Sequence, residues 1–154
     1  MASLSNEFRA VVSAGGLRAG MRWLNARVPY RYSAIFAFHG DTLRNVCLVD
    51  KENQSITRCD DQPITESYCL YIHRSGERFA VEEARADPRV DGHPKRYVCQ
   101  CYYGIPLHGA NGKLLGTVCH FDPLPRNLTA GIAETLDELA PFIAKEAFPD
   151  EPGL

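Results

Sequence analysis

The dipeptide Asn111-Gly112 lies between two apolar segments, Val98 to Leu107 and Leu114 to Phe121, and constrains the fold more than any other feature. Asn-Gly tolerates the positive φ angles of a tight turn, so the two segments are predicted to pair as an antiparallel hairpin. A second hairpin is predicted upstream. Tyr30 to Phe38 is rich in aromatic and small residues, His39-Gly40-Asp41 makes the turn, and Leu43 to Val49 returns. Phe79 to Val81 adds a brief strand. Helical spacing brackets these strands. Phe8, Val11 and Val12 are followed by a break at Gly15-Gly16, then by Leu17, Met21 and Leu24. Pro63 introduces a short helix over Ile64 to His73, with Ile64, Tyr68 and Ile72 every four residues. Leu128, Ile132, Leu136, Leu139 and Ile143 form one stripe of a final helix. Pro141 should kink or loosen that helix, because an interior proline removes a hydrogen bond. This order predicts an α+β domain: a central antiparallel sheet of five to six strands with segregated helices.

Two polar stretches interrupt the pattern. Asp50 to Asp61 reads as a loop or irregular edge. Asp87-Pro88-Arg89-Val90-Asp91-Gly92-His93-Pro94 is too long and too polar for a plain connector, and such loops tend to carry function.

The 154 residues suit one domain, 1–154, with a core over about 17–147 and a frayed tail at 149–154. Hydrophobic residues at 45% and charged residues at 23% argue against a disordered chain. A formal net charge of −2, with scattered basic residues, offers neither nucleic acid nor an anionic membrane an attractive surface. The opening Met1-Ala2-Ser3-Leu4-Ser5-Asn6-Glu7 lacks the pattern of a signal peptide, and no apolar stretch approaches the roughly 20 residues of a membrane span. Six cysteines in such a chain are expected to be thiols, and the expected location is the cytoplasm.

Three stretches converge on a known pattern. Asp87-Pro88-Arg89 follows the third strand. Tyr103-Gly104-Ile105-Pro106-Leu107, with Tyr102 beside it, opens the hairpin closed by Gly112-Lys113-Leu114-Leu115-Gly116-Thr117-Val118-Cys119. Asp122-Pro123 leads to the final helix. From about Tyr30 to Ile143 the chain resembles the GAF domain family. The resemblance implies a GAF/PAS-like arrangement: terminal helices on one face of the sheet, and a short helix plus loops covering a pocket on the other. It further implies a sensory module that binds a small molecule without catalysis. Such a module would signal through its terminal helices to a separate effector protein, and would commonly do so as a homodimer. The N-K-x-F-D-E pattern of cyclic-nucleotide GAF domains is absent, and so is the sequence that surrounds a bilin-binding thiol. The ligand, and any cofactor, stay unidentified.

Cys99, Cys101, Tyr97 and Tyr103 fall on one face of the predicted strand, where they could line that pocket or simply pack. The candidate ligand-binding set is Tyr68, Cys69, Ile72, Arg89, His93, Tyr97, Cys99, Cys101, Tyr103 and Cys119. Arg89 and His93, on the loop over the mouth, could meet an anionic group or serve only local loop contacts. No metal is expected. Cys99 and Cys101 lack the usual spacing of a zinc site, and Cys119 and His120 point to opposite faces of a strand. A catalytic alternative stays open, because Val90-Asp91-Gly92-His93 is similar to the stretch before the catalytic cysteine of free methionine-(R)-sulfoxide reductases, a GAF subfamily. In that case Cys99, Cys101 and Cys69 would supply the nucleophilic and resolving thiols.

Overall fold

The computed structural model describes residues 3–150. Its helices are α1 (Leu4–Gly15), α2 (Leu17–Asn25), α3 (Cys69–Ser75) and α4 (Ile132–Ala147). Its strands are β1 (Tyr32–His39), β2 (Thr42–Asp50), β3 (Gln62–Pro63), β4 (Phe79–Val81), β5 (Cys101–His108) and β6 (Leu114–Asp122). One antiparallel six-stranded sheet runs in the order β3-β2-β1-β6-β5-β4. The Asn-Gly hairpin forms as expected: Gly112 takes φ 82°, Gly109 N–H donates to Lys113 O at 2.8 Å, and β5 pairs with β6.

Alternation along the strands builds two cores. Ile35, Cys101, Tyr103, Ile105, Leu107 and Val118 face the terminal helices, while Ala34, Phe36, Tyr102 and Cys119 face the other way. The first core receives Phe8 and Val12 from α1, Met21 and Leu24 from α2, and Ile132, Leu136, Leu139 and Ile143 from α4. The α4 stripe is therefore consumed within the chain. Phe8 is fully buried, so this core begins ahead of the 17–147 span expected. Gly16, at φ 92°, turns the chain between α1 and α2, and its N–H caps Val12 O at 2.7 Å. Pro141 lies on the exposed side of α4, which runs unbroken through it. Of the predicted frayed tail, 151–154 lies outside the described residues.

Three elements differ from the sequence expectation. The helix predicted over Ile64 to His73 splits into a 3-10 turn at Ile64–Glu66 and α3, because Ser67 is extended and its Oγ accepts from Cys69 N–H at 3.0 Å. β3 is an added two-residue edge. β5 starts at Cys101, not Val98, because Val98 and Cys99 N–H both donate to the Lys95 carbonyl, at 3.0 and 2.8 Å, forming a turn.

A bulge between Ile35 and Phe36 leaves Val46 without a β1 partner. Beside it, Asn45 donates to Cys47 O at 3.0 Å and accepts from Cys59 N–H at 3.1 Å. Arg18 of α2 reaches Gln54 O at 3.1 Å and Ile56 O at 3.3 Å. These contacts fold the polar 51–61 segment back along the sheet, where it becomes a wall.

Candidate functional site

A cavity of about 410 Å³ opens on the sheet face opposite the terminal helices. Its floor is Tyr32, Phe36, Leu48, Tyr102 and Phe121 from the sheet. One wall is Ile56, Arg58, Cys59 and Gln62, and the roof is Ser67, Tyr68, Lys95, Val98 and Cys99. The space equals roughly a dozen water volumes and falls within the usual range for small-molecule sites. Its aromatic rings form a continuous surface. Tyr32 and Phe121 stack at 5.0 Å and 19°, Phe121 and Tyr102 at 6.5 Å and 29°, and Tyr68 meets Tyr102 edge-on at 5.7 Å. Gly104 allows this arrangement, since a Cβ there would collide with the Tyr102 ring and hydroxyl.

The charges at the site are unequal. Asp50 borders the cavity but is held by Arg31, with Nε to Oδ1 at 2.9 Å and Nη2 to Oδ2 at 3.1 Å. The Arg31 guanidinium keeps the Asp50 carboxyl below its ordinary range. Arg58 and Lys95 have no carboxylate partner among the described residues. Two free cations therefore border an aromatic cavity whose one carboxylate is already neutralised.

The thiols divide among three environments. Cys99 lines the cavity, donates from Sγ to Cys101 O at 3.3 Å, and is pushed up to about 12 by burial. Cys59 also lines it, and burial raises its thiol. Cys69 is fully buried beneath the floor, 3.2 Å from Tyr102 Oη and 3.3 Å from Thr117 Oγ1. Burial pushes Cys69 up, but the hydrogen bonds of Cys119, Ser67, Thr117 and Tyr102 outweigh it and lower the thiol. Burial pushes its neighbour Cys119 up. Cys101 sits on the opposite face of the sheet, in the core beneath the terminal helices.

Several expected site residues lie elsewhere. Cys101 and Tyr103 do not line the cavity, because β5 begins after the Lys95 turn and its odd-numbered residues face the helices. Tyr103 Oη instead takes a hydrogen bond from Arg78 Nη1 at 2.8 Å. Tyr97 is 66% exposed between Arg85 and Arg96. Ile72, Cys69 and Cys119 pack under the floor without reaching the cavity. Arg89 is tied to Asp87, with Nη2 to Oδ2 at 2.6 Å, and to Ala80 O, which is the local loop role. His93 is buried: Nε2 donates to Ser67 O at 3.0 Å and Nδ1 accepts from Lys95 N–H at 3.0 Å. Burial lowers its pKa, in keeping with a neutral ring that pins the roof loop to the α3 turn. Of the expected set, Tyr68 and Cys99 line the cavity. Tyr32, Arg58, Cys59, Lys95, Tyr102 and Phe121 line it without having been anticipated.

No family model and no curated protein matches the chain. Among solved structures, the chain is similar to a putative GAF sensor protein from Burkholderia vietnamiensis, at 14% identity and a TM-score of 0.72, covering 95% of this chain and 92% of that one. It is similar to a free methionine-R-sulfoxide reductase from Neisseria meningitidis in complex with its substrate, at 15% identity and a TM-score of 0.68, covering 96% and 92%. A third is the phycocyanobilin-bound GAF domain of a cyanobacterial phytochrome, at 15% identity and a TM-score of 0.68, covering 97% and 100%. The fold is that of GAF domains. Neighbours on this fold include both ligand-binding sensors and reductases, so function has to be argued from the site itself.

Proposed function

We propose that this protein is a non-catalytic, small-molecule-binding regulatory module whose ligand is a flat, largely apolar anion. The observation that carries this is the joining of a continuous aromatic surface to two unpaired cations, Arg58 and Lys95, around one cavity. A planar ring system would stack on Tyr32, Phe121 and Tyr102, and its anionic group would meet the Arg58 guanidinium or the Lys95 ammonium. A reductase needs a thiolate at the substrate. Burial raises both thiols that line the cavity, Cys99 and Cys59, Cys69 lies beneath the floor, and Cys101 lies across the sheet, so the thiols support binding over turnover.

Output through the terminal helices to a separate partner is supported by alternation along two strands. Tyr32 and Phe121 face the cavity, while their neighbours Ser33 and His120 meet across the helix face at 2.6 Å. Asn25 of α2 joins Ser33 at 2.8 Å, so a ligand that moves β1 or β6 moves a contact of α2.

Titration with anilinonaphthalene sulfonate, a flat aromatic anion, tests the reading by fluorescence. Saturable binding is expected. The double variant Arg58→Gln/Lys95→Gln should weaken it about tenfold, the loss of one charge-assisted contact. Equal affinity in that variant would contradict the assignment.

A further inference from the structure

A second cavity, of about 130 Å³, lies on the other side of the sheet among α1, α2 and α4. Its polar lining includes His120 and Arg27, together with the start of α4 at Gly131 and Ile132; no carboxylate lines it. His120 is 1% exposed and stacks on Tyr30 at 5.8 Å and 27°.

The hydrogen-bond chain behind His120 sets its tautomer. Asn25 Nδ2 donates to Ser33 Oγ at 2.8 Å, so the Ser33 hydroxyl proton is free to go to His120 Nδ1, 2.6 Å away. The ring proton then sits on Nε2. Nε2 has no hydrogen-bond partner among the described residues, although the ring lines the cavity.

Gly131 and Ile132 bring the start of α4 to the cavity wall. No side chain caps it, and the N–H groups of Ala133 and Glu134, next along the chain, have no acceptor among the described residues. Arg27 also lines the cavity, its guanidinium held over the Trp23 ring at 3.5 Å while Nη1 donates to the Trp23 carbonyl at 2.8 Å. Leu24, Val28 and Ile132 supply apolar contacts.

We infer that this cavity is a second binding site, distinct from the aromatic one, and that it takes a short-chain monocarboxylate. The carboxylate accepts from His120 Nε2–H and from the first-turn amides of α4, with Arg27 balancing its charge. The alkyl end rests on Leu24, Val28 and Ile132. The volume equals about four water molecules, which suits acetate or propionate and excludes larger acids.

Titration of the full chain with acetate, followed by amide and ring N–H resonances, tests this. Saturable shifts are expected at Ala133, Glu134 and the His120 ring N–H, and chloride at equal ionic strength should give none. His120→Phe keeps a ring against Tyr30 but removes the donor, and should weaken acetate about tenfold or more. Should that variant fail to fold, Arg27→Gln alters an exposed side chain and should weaken acetate severalfold. Absence of saturable shifts at these groups, as for a cavity holding water only, overturns the assignment. So does undiminished affinity in the folded variants.

Discussion

Acidification from about pH 6.5 to about pH 4.5 should cost this protein about 2 kcal/mol of stability through His120 alone. Burial, with Lys51 nearby, lowers the His120 pKa from 6.5 to about 3. Below 6.5 the unfolded chain takes up a proton that the folded chain refuses until about 3, so stability is full above that window and falls with pH inside it. The cause is visible in the structure. The ring is buried against Tyr30 and the sheet, and Ser33 gives its Nδ1 a neutral partner and no counter-charge. His93, also lowered by burial, adds a smaller loss of the same sign. Asp50 and Asp87, held down by Arg31 and Arg89, contribute only below about 3.8. Urea unfolding at a series of pH values reads the slope. His120→Phe, with no group to titrate, should flatten most of it, and an undiminished slope in that variant would show that another group is responsible.

Gly116→Ala should cost more than about 3 kcal/mol, beyond ordinary overpacking. Gly116 pairs with Ala37 in the β1–β6 ladder, and an added Cβ would overlap the Phe36 carbonyl oxygen and carbon. Those atoms belong to a central strand, so no side chain can swing away to make room. At Gly104 the atoms nearest an added Cβ all belong to the Tyr102 side chain, which can move, so Gly104→Ala should cost less, at the expense of the cavity floor. Thermal or urea unfolding separates the two. A Gly116→Ala protein as stable as the parent would mean that β1 and β6 are not packed as described.

The amino-acid sequence carried the scaffold more fully than the site. Asn111-Gly112, the Gly15-Gly16 break and the Ile132 to Ile143 part of the final stripe each act through local geometry, and each lies where its spacing predicts; Leu128 does not, since α4 begins at Ile132 and Leu128 packs on the core from the segment before it. The cavity residues depend on distant contacts. Taking Val98 to Leu107 as one strand put Cys99, Cys101 and Tyr103 on a shared face. The Lys95 carbonyl instead draws Val98 and Cys99 into a turn, which leaves Tyr102 as the β5 residue over the cavity. A sequence signal for this existed. Ile105 and Leu107 are the apolar partners that the terminal helices require, so Tyr102, of opposite parity, had to face the other way. Arg58 and Cys59 left no such trace. They sit in a polar stretch without periodicity, brought to the cavity by Asn45 and Arg18. Arg89 and His93 were conspicuous for their loop, yet both are occupied in holding it.

Hydrogen exchange of the full chain, with and without saturating anilinonaphthalene sulfonate, locates the bound molecule directly. Occupancy of the aromatic cavity predicts slowed amide exchange in the 56–62 wall and the 95–102 roof and floor. Slowing confined to α1 and α4, or none in either lining segment, would contradict the claim that this hollow is where the protein takes its ligand.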